Sequence, residues 1–138
     1  MARLLLASAL WAALALPALG ASMPLDQPVS LPNAITAVCA GIGQSQEDPR
    51  WAAFSVRVEF ANAADQYIAG VSLKLSQGRK VLAHLSCPGA WLLLQLPAGR
   101  YEVSGTRQDA PGAAPASAAF SPPTRGQKRV VLIFKPKS

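Results

Sequence analysis

The run Trp91-Leu92-Leu93-Leu94-Gln95-Leu96-Pro97-Ala98-Gly99-Arg100-Tyr101-Glu102-Val103 decides the architecture. Its first half is a dense apolar stretch, short and bounded by turn residues, which reads as a strand buried in a core. Pro97-Ala98-Gly99 then reverses the chain, because proline presets one turn dihedral and glycine accepts those that other residues avoid. Beyond the turn, Tyr101 and Val103 alternate with Arg100, Glu102 and Ser104, the period of a strand with one face in the core and one in water. Leu96 and Tyr101 are thereby placed to pack the end of that core.

The same grammar extends in both directions. Upstream, Phe54, Val56, Val58 and Phe60 point one way while Ser55, Arg57 and Glu59 point the other. Residues 61–65 form a small polar turn, and 67–76 repeat the pattern with Ala69, Val71, Leu73 and Leu75 inward. Gln77-Gly78-Arg79 is a short glycine-centred turn, so this strand and 80–86 read as a hairpin, reversed again at Cys87-Pro88-Gly89. Residues 33–42 read as a strand buried on both faces, and 44–50 as a polar segment with a helical turn interrupted by Pro49. Downstream lie a loop rich in Ala, Pro and Gly over 108–115, a short strand at 116–121, and a closing strand over 128–135, with Val131 and Ile133 on one face and Val130, Leu132 and Phe134 on the other. About seven short strands without a helical stripe predict an all-β, antiparallel β-sandwich.

Leu96-Pro97-Ala98-Gly99-Arg100-Tyr101-Glu102-Val103 resembles the most recognisable element of carboxypeptidase regulatory-like domains, which share the transthyretin-like, or prealbumin-like, Greek-key sandwich. Gly70-Val71-Ser72-Leu73-Lys74-Leu75, Pro88-Gly89-Ala90-Trp91-Leu92-Leu93 and Arg129-Val130-Val131-Leu132-Ile133-Phe134 are similar to small exported bacterial proteins of this class. The resemblance runs over 33–135. It implies a seven-stranded Greek-key β-sandwich domain over 33–138, of a kind that assists folding, spacing or binding and lacks the peptidase active site. Two features depart from the family pattern: a pair of cysteines, and the long loop after Arg107, which reads as a tolerated surface insertion because loop length costs little.

The amino terminus carries an export signal. Arg3 supplies a positive start, and Leu4 to Leu16 form an apolar stretch broken only by Ser8 and ended by Pro17. That stretch is too short to span a bilayer comfortably. Ala18-Leu19-Gly20 sets small residues three and one before a cut between Gly20 and Ala21. The expected product is a periplasmic or secreted domain with no integral membrane segment, keeping 118 of the 138 residues and +5 of the formal +6 charge. Residues 21–32, with Pro24, Pro28 and Pro32, read as a flexible lead-in. In an oxidising compartment Cys39 and Cys87 are expected to form a disulfide, against the alternative of two separate buried thiols; closing a span of 48 residues stabilises by about 4 kcal/mol through chain entropy.

Chemistry is sparse. His84 is the single histidine, without an adjacent Asp, Glu or Cys to complete a metal site, and reads as a strand residue. A Cys87–His84 nucleophile requires Cys87 to be unpaired, and no oxyanion loop is recognisable. Only Glu47 and Asp48 are adjacent among the seven carboxylates, and they read as a solvated cap in preference to a weak calcium ligand pair. Hydroxyisourate hydrolases share the broad fold of the family but carry several active-site histidines and a Tyr-Arg-Gly-Ser tail; this chain ends Phe134-Lys135-Pro136-Lys137-Ser138. No catalytic residue, cofactor or metal is therefore expected.

Basic residues gather at Arg125, Lys128, Arg129, Lys135 and Lys137, and again at Arg79-Lys80. They read either as edge-strand protection or as a contact to anionic lipid or cell-wall polymer. Trp51 and Trp91 read as core anchors. Export and the lack of an aromatic-basic module argue against nucleic acid. The expectation is a non-catalytic module that binds or supports a cell-envelope component, either a protein or a polymer. The alternatives are a small periplasmic hydrolase using His84 and a structural surface-interaction module.

Overall fold

A strand with one apolar face must bury it against another layer. In the computed structural model, which describes residues 21–136, the strands do so as two five-stranded sheets packed face to face. The strands are β1 (Ala21–Ser22), β2 (Val29–Leu31), β3 (Ile35–Ala40), β4 (Val56–Asn62), β5 (Val71–Gln77), β6 (Lys80–Cys87), β7 (Trp91–Gln95), β8 (Tyr101–Arg107), β9 (Ala116–Phe120) and β10 (Lys128–Phe134). The first sheet runs β1-β6-β5-β8-β9 and the second β10-β4-β7-β3-β2. Between them lie Val56, Val58, Phe60, Leu73, Leu75, Leu92, Leu94, Val103, Leu132 and Phe134, the inward residues of the alternating runs.

The all-β sandwich is as expected, but seven strands are too few: among the described residues nine strands have three or more residues, and β1 adds a pair. The difference lies in 21–32, which is built into the domain. β1 joins β6, Leu25 bridges to Cys39, and β2 pairs with β3. Its prolines mask this in the sequence, yet Pro24, Pro28 and Pro32 fall between the paired residues, where no ladder N–H is needed. Nor is the sandwich wholly antiparallel. β1 runs parallel to β6 and β10 parallel to β4, because each reaches its neighbour from elsewhere in the chain instead of by a hairpin. The stretch 67–76 is also divided: Gly70 turns the chain at φ 84°, leaving Tyr67 bridged to Ala61 and β5 starting at Val71. The expected export signal 1–20, with Gly20 of the expected cleavage site, lies outside the described residues; Ala21 opens β1.

The decisive corner closes on itself. Tyr101 stacks on Phe120 with ring centroids 5.8 Å apart and donates its hydroxyl to the Pro97 carbonyl at 2.8 Å, so a core aromatic also ties down the turn that precedes it. A disulfide joins Cys39 on β3 to Cys87 at the end of β6, fastening the two sheets together, and both cysteines are fully buried. Gly89 follows because the chain passes so close to Ala40 that a Cβ there would strike the Ala40 carbonyl.

Two 3-10 turns, Gly43–Glu47 and Pro49–Ala53, fold over the outer face of the second sheet. Asp48 caps the second turn by accepting the Arg50 N–H at 2.9 Å. Trp51 from that turn covers Val38, Ala40 and Leu93, which explains why β3 is buried on both faces. Trp51 donates its ring N–H to the Ser45 carbonyl at 2.7 Å, and the Gln127 amide donates to the Trp51 and Phe54 carbonyls, locking the cover in place.

Candidate functional site

Register arranges the other half of that outer face as a grid. One row is Arg129, Arg57, Leu93 and Val38; the next is Val131, Glu59, Trp91 and Ala40; the third is Ile133, Ala61 and Tyr67. Glu59 stands at the centre. It points away from the sandwich core, as its place in the alternation requires, yet it is fully buried.

A buried carboxylate is costly unless its charge and lone pairs are matched. Here they are. Arg129 donates from Nε to Oε2 at 2.7 Å and from NH2 to Oε1 at 3.0 Å, Arg57 donates from Nε to Oε2 at 2.9 Å, and the Tyr67 hydroxyl donates to Oε1 at 2.8 Å. Burial pushes the Glu59 pKa up, but the hydrogen bonds from Arg129 and Tyr67 and the fields of Arg57 and Arg129 outweigh it, leaving the carboxyl below the ordinary glutamate range. The partnership also holds the Arg129 guanidinium above its usual pKa.

Trp91 forms the floor. The Arg57 guanidinium lies 4.4 Å over its ring and Tyr67 meets it edge-on at 6.1 Å. The Trp91 ring N–H is buried without a hydrogen-bond partner among the described residues. Gly41, at φ 92°, passes so close that a Cβ would stand 2.6 Å from Trp91 Cγ.

No protein-family model matches the chain, and no curated protein matches it. Among solved structures it is similar to Klebsiella pneumoniae 5-hydroxyisourate hydrolase, at 18% identity and a TM-score of 0.39, over 59% of this chain and 82% of that chain.

The cluster reaches solvent along one side. Tyr67 is 46% exposed, Ile133 42%, and the Arg129 side chain 60%, so an aromatic, an aliphatic and a guanidinium share a surface above a buried anchor. Two arginines against one glutamate leave a local excess of one positive charge. Lys128 and Lys135 flank it on and just beyond β10. Of the basic group read from the sequence, Lys128 and Arg129 lie on β10, Lys135 directly follows it and Arg125 stands in the turn before it; Lys137 lies outside the described residues, and Arg79 and Lys80 stand at the β5–β6 turn and the start of β6 in the other sheet.

Elsewhere the sequence-based site residues disperse. His84 is exposed on β6 and pairs in register with Lys74, a cation, and none of the described hydrogen bonds or ion pairs brings a carboxylate to it. Cys87 is in the disulfide. Glu47 ends the first 3-10 turn and Asp48 pairs with Arg50 at 2.8 Å as a cap. No group of three or more metal-ligating side chains occurs among the described residues. No helix there is long and apolar enough to cross a membrane. Trp51 and Trp91 are buried anchors, as expected.

Sequence reasoning missed the Glu59 cluster. Arg57 and Glu59 read as the wet side of a half-buried strand. The available signal was Trp91, a large aromatic in a strand whose neighbours Leu92 and Leu94 already fill the core, which required a second buried layer on the outer face.

Proposed function

We propose that the mature chain is a non-catalytic, exported β-sandwich module that binds or supports another component of the cell envelope through the outer face of its second sheet. The observation that carries this reading is the exposed triad of Tyr67, Arg129 and Ile133 held over buried Glu59 and Trp91. Tyrosine and arginine are the residue types that dominate interface energetics, and they act best when preorganised. Tyr67 and Arg129 are each fixed by the carboxylate beneath them, so little side-chain freedom remains to be lost on binding. The export signal, the buried disulfide and the resemblance to carboxypeptidase regulatory-like modules support an envelope setting and a binding role.

Purified mature protein mixed with isolated sacculi, with anionic vesicles and with immobilised envelope protein extract tests it. Retention on one of these, reduced by Arg129→Glu with Lys135→Glu, is the expected result. Equal retention of the charge-reversed variant, or none for the native protein, contradicts the reading.

A further inference from the structure

Among the described residues the second sheet ends at β10, and β10 pairs there with β4 alone. Lys128 donates its N–H to the Ser55 carbonyl at 2.8 Å, which sets the phase of the parallel ladder. Lys128, Val130, Leu132 and Phe134 turn their backbone groups toward β4, and alternation directs those of Arg129, Val131 and Ile133 out of the sheet edge. Burial follows the same phase: Val130, Leu132 and Phe134 are buried, Val131 is half-buried, and Arg129 and Ile133 are exposed. β9, the edge strand of the other sheet, packs against β10, but no described backbone hydrogen bond joins the two.

The remaining sheet edges are shorter than β10, with two residues in β1, three in β2 and five in β9, and the shortness of β1 and β2 itself guards their edges. β10 has seven, with the run Val130-Val131-Leu132-Ile133-Phe134. Charges can protect such an edge when they project into water. Arg129, the charge best placed to do so, does so only in part: its side chain is 60% exposed, but its guanidinium is held on Glu59 in a two-bond fork.

We propose that β10 is a strand-addition site: an extended acidic segment of another protein pairs antiparallel with its free edge. Carboxylates of that segment lie beside Arg129 and Lys135, and apolar, β-branched side chains lie beside Val131 and Ile133. The outer face of this edge reads Arg129, Val131, Ile133, Lys135, a cation at each end of an apolar centre. A strand with the complementary pattern, acid at both ends and apolar between, matches it position by position. A second copy of this chain does not, since antiparallel self-pairing sets cation against cation at both ends. Main-chain bonds then supply affinity and the alternate side chains supply selectivity. This rests on the binding role proposed above and names the chemistry of the partner.

The test uses the mature protein and a seven-residue capped peptide bearing Glu, Val, Val and Glu on one face and Thr on the other, with a Lys-ended counterpart as control. Amide exchange followed by NMR is expected to slow at Arg129, Val131 and Ile133 by about tenfold or more on adding the acidic peptide, as new ladder bonds require. Val131→Pro removes an outward N–H without touching the β4 ladder, and is expected to weaken peptide binding by about tenfold or more. The exchange measurement on the native protein stands whether or not that variant folds. Unchanged exchange at these three amides, or equal binding of the Lys-ended peptide, overturns strand addition. If the native protein is nonetheless retained by an envelope fraction, strand addition alone fails and the broader binding role survives; loss of both results removes both.

Discussion

Arg129 on β10 and Glu59 on β4 meet diagonally across a parallel ladder, with Nε to Oε2 at 2.7 Å and NH2 to Oε1 at 3.0 Å. Register sets Arg129 directly beside Arg57, a like-charge pair that would repel, and the carboxylate one step along bonds both and offsets one of the two charges. This relationship converts the outer face of the second sheet from a solvated surface into a second small core with a charged centre.

Glu59→Gln keeps the shape and removes the charge. Arg57 and Arg129 then lose charge-assisted bonds, but Arg129 reaches water readily, so the expected cost is about 2 kcal/mol, below that of a fully enclosed pair. Chemical denaturation measures it, and a variant as stable as the native protein contradicts the assigned role of Glu59.

Acid should expose the same group. The folded Glu59 pKa lies below its unfolded value, near about 4.3 for a free glutamate. Its contribution is therefore complete above that value and is lost as pH falls from there through the folded pKa. The native protein is expected to lose stability over this acidic range more steeply than Glu59→Gln. Parallel stability curves for the two proteins would refute it.

Cys39 and Cys87 are fully buried, so a mild reductant should leave them bonded until the domain opens. Reduction under denaturing conditions, or Cys39→Ala with Cys87→Ala, is expected to cost about 4 kcal/mol, a fall in melting temperature of about 10–20 °C. Rapid thiol labelling in native buffer after mild reduction would contradict the buried placement.

Gly41→Ala tests the floor of the cluster. It forces a side chain onto φ 92° and places a Cβ 2.6 Å from Trp91 Cγ. The expected loss is about 2–3 kcal/mol, with a changed Trp91 fluorescence; an unperturbed spectrum and stability would refute the close approach.

The strands from β3 to β10 were legible because each carries period-two alternation or a dense apolar run between turn residues. β1 and β2 were not, since they are short and their apolar signal is diluted by Pro24, Pro28 and Pro32. Parallel pairing of β10 with β4 is likewise invisible locally, because Val130, Leu132 and Phe134 point inward whichever way the neighbour runs. The disulfide was anticipated from the expected compartment and the count, and its role as a clamp between sheets emerges only from the strand order. At Glu59 the sequence misleads for a physical reason: alternation reports which face a side chain takes, not whether something covers that face. The cover comes from Arg57, Tyr67, Trp91 and Arg129, on four separate stretches of chain.

The most direct measurement places a photo-crosslinking phenylalanine analogue at Ile133, on the same outer face as Tyr67 and Arg129, or at His84 on the opposite sheet, in the full-length chain expressed in cells. The account predicts a discrete adduct from position 133 that disappears with Arg129→Glu, and none from position 84. Adducts from position 84 alone, or an adduct at 133 indifferent to Arg129, would contradict the claim that this face is the binding surface.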